Sequence, residues 1–210
     1  NVDSMYWKYE TFLKSCEGRL DALLGSNGPI YAIRRKDYVP ISPDTIIDDF
    51  TIPLLIQLKF GKRVIYDPTA VAREDSAPNV QAEFRRRSRI GAGGFQSLSR
   101  LAPLLSPKYG WTSFAFWQHK VLRWFCPAML FIAFVSNLLL LDRTPYQLLF
   151  AMQVGFYAAA ILGAVTSGSG LIHRLLRLST LFTSMNLALT VGFWKWIAGG
   201  QRGTWQRTAR

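Results

Sequence analysis

Two charge-free apolar runs separated by only four residues constrain this chain more than any other feature. Trp124 to Leu141 contributes 18 residues and Tyr146 to Thr166 another 21, close to the ~20 needed to cross a bilayer as a helix. The connector Asp142-Arg143-Thr144-Pro145 is so short that the two helices must fold back on each other, and residues 121–166 are read as a transmembrane hairpin. Lys120 and Arg123 precede the first run, Arg174 and Arg177 follow the second, and the tip is nearly neutral. Positive charge is retained on the cytoplasmic side, so the sequence predicts a multi-pass protein of the inner (plasma) membrane with both hairpin ends inside. Asn137, within the first run, needs a polar partner there.

A third apolar region behaves differently. Leu171, Leu175, Leu178, Phe182, Met185, Leu189, Phe193 and Trp196 form a helical stripe opposite His173, Arg177, Thr180, Thr183 and Ser184, and the uncharged core from Ser179 to Trp194 has 16 residues. Lys195, Arg202, Arg207 and Arg210 follow without an acid. A helix in the cytoplasmic interface keeps those cations inside, whereas a third span would export them, so residues 167–210 are read as an interfacial helix and a cytoplasmic tail.

The net charge of +12 belongs to the second half: residues 1–84 carry 10 Lys/Arg against 12 Asp/Glu, and residues 85–210 carry 15 against Asp142 alone. Apolar runs of this length argue against a nucleic-acid partner and for the lipid bilayer. The step between the halves is Arg85-Arg86-Arg87-Ser88-Arg89, in an amphipathic interfacial region, residues 85–120. Four adjacent cations there face an anion, either a substrate or anionic lipid. Two cysteines, Cys16 and Cys126, make neither a disulfide framework nor a cysteine metal site, and His119 and His173 are too few for a histidine cluster.

In the first 84 residues, Tyr6, Tyr9, Leu13, Cys16 and Leu20 share a helical face, Gly25-Ser26-Asn27-Gly28 breaks it, and Pro29 to Ile33 reads as a strand. Phe50, Leu54, Leu55 and Leu58 give a second helix ended by Gly61, followed by a strand at Val64-Ile65-Tyr66. The alternation predicts the fold class α/β, as the C-terminal half of a layered domain. The chain opens at Asn1 without Met or a signal-like segment and supplies too few strands to close a sheet, so it reads as the C-terminal part of a longer protein.

Asp48-Asp49 stands at the start of the second helix, where carboxylates commonly serve as caps. The order of features points further: small-residue turn, Asp pair, Glu74, arginine cluster, membrane hairpin, basic-aromatic tail. Transfer of a sugar from a nucleotide donor needs a carboxylate to take the acceptor hydroxyl proton and cations to neutralise the departing pyrophosphate. This order resembles the processive membrane glycosyltransferases of family 2, the group of cellulose, chitin, hyaluronan and poly-N-acetylglucosamine synthases, over nearly the whole chain. The resemblance implies the C-terminal part of a GT-A-type domain, with Gly28 in the small-residue segment beside the acceptor sugar, Asp49 as general base and Asp48 supporting it. Arg86-Arg87-Ser88-Arg89-Ile90 is similar to the family's Q-x-x-R-W motif and implies substrate binding by Arg86 and Arg89; Arg86 and Ile90 stand where the family has Gln and Trp. Trp205-Gln206-Arg207-Thr208-Ala209-Arg210 is similar to the gating-loop pattern F-x-V-T-x-K, implying that Trp205, Thr208 and Arg210 close over the nucleotide. A UDP-sugar donor, a polysaccharide acceptor and a divalent metal, Mg or Mn, held by the missing N-terminal half, are implied as well. The expectation from another class is a non-catalytic module that anchors a synthesis complex or conducts glycan made elsewhere.

Overall fold

The computed structural model describes residues 2–72, 80–200 and 203. Seven α-helices follow in order among them: α1 Val2–Arg19, α2 Asp48–Phe60, α3 Val80–Arg100, α4 Trp111–Ala115, α5 Leu122–Leu139, α6 Thr144–Val165 and α7 Leu171–Ile197. A π-helical turn, Phe116–Val121, joins α4 to α5 without a break. No strand forms among the described residues, and the expected α/β class is corrected to an all-α one. The segments read as strands, 29–33 and 64–66, form none: residues 28 and 29 lie in a turn, residues 31–33 and 64–66 have no regular structure, and the sole pairing among the described residues is an isolated bridge between Asn27 and Ile30. Their β-branched and aromatic residues favour extended backbone, but a strand exists only by pairing, and these two do not pair with each other.

The helices fall into two compact units. The first comprises residues 1–124 and 191–210. Its core is aromatic: Phe50 of α2, Phe116 of the π turn and Trp124 of α5 meet pairwise at 5.9–6.1 Å between ring centroids, over fully buried Leu54, Leu101 and Leu104. Two hydrogen bonds tie the helices of this core: Thr51 Oγ1 lies 2.9 Å from Ser97 Oγ, joining α2 to α3, and Gln57 donates to Thr112 Oγ1 at 2.8 Å. The last turns of α7 also belong here. Phe193 and Trp196 pack on Phe95 of α3 at 5.0 and 6.0 Å. Gly192 allows that approach, because a Cβ there would come within 2.6 Å of the Ser88 carbonyl.

The second unit, residues 125–190, holds most of α5, all of α6 and the first turns of α7. Asn137 of α5 finds its partner inside the hairpin, donating to Gln153 Oε1 of α6 at 3.2 Å, while Gln153 donates to the Leu130 carbonyl at 3.3 Å. Phe134 and Phe150 pack at 5.2 Å, and Thr180 of α7 donates to the Ala160 carbonyl at 2.7 Å. Among the described residues two helices are long and apolar enough to cross a membrane, the continuous helix Trp111–Leu139 and Thr144–Val165, and α7 is not one of them. Only 11% and 6% of their apolar windows are buried. A core helix of a soluble protein passes the same length test, but it buries that surface; here Phe131, Ile132, Leu139, Leu148 and Val165 are all more than 60% exposed.

Candidate functional site

The site grows from the start of α2. Pro53 lies inside this helix and has no N–H to give the carbonyl four residues earlier, that of Asp49. That carbonyl is taken instead by Ser26, whose N–H and Oγ–H reach it at 2.9 and 2.7 Å. The small-residue turn is thereby fastened to the first turn of α2. Gly25 makes this possible with φ +83 and no side chain: a Cβ there would crowd Phe50 at 3.0 Å. At Gly28 a Cβ would lie 3.0 Å from Asp49 Oδ2, so glycine keeps one side of that carboxylate uncovered.

The two aspartates differ. Asp48 is exposed and Asp49 half-buried. The N-cap of α2 is Ile47, which makes no side-chain capping bond; Asp49 Oδ1 accepts from the Phe50 N–H at 3.0 Å instead, so one part of the capping role is real. Burial, then the neighbouring Asp48 charge, raises the Asp49 carboxyl above the usual carboxylate range, against the Phe50 hydrogen bond and the Arg89 and Lys14 charges that lower it. A carboxylate raised in this way and uncovered on one side is suited to take up a proton.

Arg89, on α3, is half-buried. It donates to the Ile46 carbonyl at 3.2 Å. Burial lowers its pKa, the Asp49 charge raises it, and the charges of Arg86 and Asp48 lower and raise it in turn, so its cation is within electrostatic reach of the pair. Arg86 points elsewhere, making a two-pronged bond to Glu83 at 2.9 Å for both prongs, and Arg87 joins the same carboxylate at 2.6 Å. The structure thus brings Gly28, Asp48, Asp49 and Arg89 together and pairs Arg86 with Glu83. Trp205, Thr208, Arg210 and Glu74 lie outside the described residues; Gly203 touches the loop before α2, where a Cβ would lie 2.7 Å from the Pro43 carbonyl and 2.9 Å from that of Thr45.

Several residues of the site were not anticipated. Lys14 of α1 donates to Asn27 Oδ1 of the turn; burial lowers its pKa, with Glu10, Asp49 and Glu17 acting in the opposite sense. Tyr31 is exposed beside the pair, its phenol pushed up by burial and then by the charges of Asp48 and Asp49. Gln96, buried in α3, fixes the loop leading into α2, accepting from the Ile46 N–H and donating to the Asp44 carbonyl, both at 2.9 Å. Beneath them His119 Nδ1 lies 2.6 Å from Glu17, and Arg123 donates to Glu10 at 3.0 Å, anchoring α1 to the π turn and α5. Glu10, Lys14 and Glu17 recur at helical spacing along α1, a polar stripe that could have marked that face.

Among the described residues no three His, Cys, Asp or Glu side chains come together as a metal site. None of them is therefore assigned to the divalent ion that the resemblance implies. Comparison with protein-family models, curated proteins and solved structures finds no match.

Proposed function

We propose that the chain carries the acceptor side of a membrane-bound inverting glycosyltransferase, which transfers a sugar from a nucleotide-sugar donor to a growing polysaccharide. The observation that carries this reading is the half-buried Asp49, raised by burial and by Asp48, uncovered toward Gly28 and flanked by the Arg89 and Lys14 cations. Asp49 takes the proton of the acceptor hydroxyl as that oxygen attacks the sugar, and Asp48 keeps its proton affinity high. Arg89 offers positive charge to the pyrophosphate as it departs. Tyr31 supplies the aromatic face for a sugar ring that Ile90 lacks.

The topology supports the same reading. With α5 and α6 as the two crossings and α7 along the interface, Gly203, where a Cβ would lie 2.7 Å from the Pro43 carbonyl, stays on the side of the loop before Asp48. The cation bias at the hairpin ends favours a site on the cytoplasmic side of a plasma membrane.

The experiment is to supply membranes containing the intact protein with a panel of radiolabelled UDP-sugars and measure polymer retained on a filter. Incorporation from one donor supports the reading. Incorporation from none, with the protein present and folded, returns Asp48 and Asp49 to the capping of α2 and leaves a non-catalytic membrane module.

A further inference from the structure

We propose that the turn between α6 and α7 is a binding site for a phosphate group, carried by an anionic lipid headgroup or by a free phosphate ion. A cavity of about 210 Å³ opens there, lined by Thr166, Ser167, Gly168, His173 and Arg177 over a floor of Gly163 and Leu176. At about 30 Å³ for each water, this is room for a group of several heavy atoms. A guanidinium, an imidazole and the Ser167 hydroxyl line it and no carboxylate does; the Thr166 hydroxyl donates to the Leu162 carbonyl at 2.6 Å.

Arg177 has no carboxylate within reach. Within this unit the single acid is Asp142, at the opposite end of α6, which at 1.5 Å per residue puts it about 30 Å away. Arg177 spends its Nε on the His173 carbonyl at a long 3.4 Å. Its two terminal nitrogens and the His173 ring have no hydrogen-bond or ion-pair partner among the described residues. A planar guanidinium with both terminal nitrogens open is the side chain best matched to two phosphate oxygens.

Gly168 shapes the cradle. A Cβ at that position would lie 2.5 Å from His173 Nε2 and 2.7 Å from its Cδ2, so glycine lets the loop lie flat against the imidazole and a larger residue would push the ring aside. The site also stands where a phosphate would be found. The apolar run of α6 ends at Val165, so in a crossing helix the next residues, Thr166 to Gly170, fall at headgroup depth.

The test uses the two histidines as reporters. The intact protein, labelled with ¹⁵N in its imidazoles, is placed in a neutral detergent and titrated with phosphatidylglycerol, phosphatidylcholine, oleate or inorganic phosphate. The His173 resonance should move with phosphatidylglycerol while that of His119 stays still. Arg177→Gln should weaken the effect about fivefold, the usual worth of one cation at an anionic surface, and Gly168→Ala, which pushes the His173 ring aside, should weaken it as well. Movement with inorganic phosphate but not with the lipid assigns the site to a soluble phosphate. Equal movement with oleate, which has charge but no phosphate, overturns the proposal, as does a His173 signal in the unsubstituted protein that responds to neither phosphate source.

Discussion

Replacing Phe95 by alanine should detach the end of α7 from α3. Phe95 is 5% exposed, and its ring meets Phe193 at 5.0 Å, Trp196 at 6.0 Å in a stacked arrangement with 21° between the planes, and Trp124 at 6.3 Å. Truncating a buried Phe to Ala costs about 3–5 kcal/mol. The contacts with Phe193 and Trp196 lead to α7, so loss of the ring weakens the hold on residues 191–197. At about 1.4 kcal/mol for each factor of ten, even the lower figure raises the open fraction about a hundredfold. Hydrogen–deuterium exchange read by mass spectrometry follows it directly, with a peptide from α6 as the internal standard. Phe95→Leu keeps most of the volume and should cost under about 1.5 kcal/mol, roughly a tenfold change. Gly192→Ala should resemble Phe95→Ala, since its Cβ meets backbone atoms that cannot give way. Unchanged exchange over 191–197 in Phe95→Ala would refute the packing argument, and with it the route by which the tail reaches the loop before Asp48.

Three further outcomes follow. Asp49 acts as a base only when ionised, and its pKa is raised, so kcat/KM should fall as pH drops through that raised value; Asp48→Asn removes one of its causes and should move this acid limb to lower pH, which a pH–rate profile would show. Arg89→Ala should reduce kcat or raise the donor KM in the polymer assay, whereas a change confined to salt-sensitive membrane association would mark Arg89 as a lipid contact. In a background with Cys16 and Cys126 replaced by serine, a cysteine at Thr144 should react with an impermeant maleimide from outside the cell and one at Ala198 only after the inner face is opened; labelling of both from outside would contradict the interfacial placement of α7.

The hairpin was legible because it depends on composition and length, which the apolar runs display without any tertiary information. The second helix was legible too, its stripe of Phe50, Leu54 and Leu58 ending at Gly61, which takes the left-handed conformation at φ +62. The strands were not. Residues 29–33 and 64–66 have the right side chains, but pairing is a long-range event that local preference cannot supply. At the site, Asp49 and Gly28 were reached through the order of motifs, and the reason they meet was missed: Pro53 frees the carbonyl that Ser26 takes. Arg86 and Arg89 were both read as substrate-binding, Arg86 in the place of a Gln, yet Arg86 pairs with Glu83 while Arg89 feels the charges of the aspartates. Glu17 and His119 are 102 residues apart, and nothing local announces such a pair.

The central claim is that Asp49 removes the acceptor proton, and the most direct measurement is polymer synthesis by the Asp49→Asn protein in membranes at saturating donor. Asn fills the same space and can keep the Phe50 N–H bonded through its carbonyl oxygen, so folding and membrane insertion should be retained. It cannot take up a proton, and loss of a general base typically costs about a hundredfold or more in rate. A hundredfold fall in turnover, with donor binding and Phe95-dependent exchange protection intact, is the result expected. Synthesis at the unsubstituted rate would contradict the account and leave Asp49 as a residue that begins a helix.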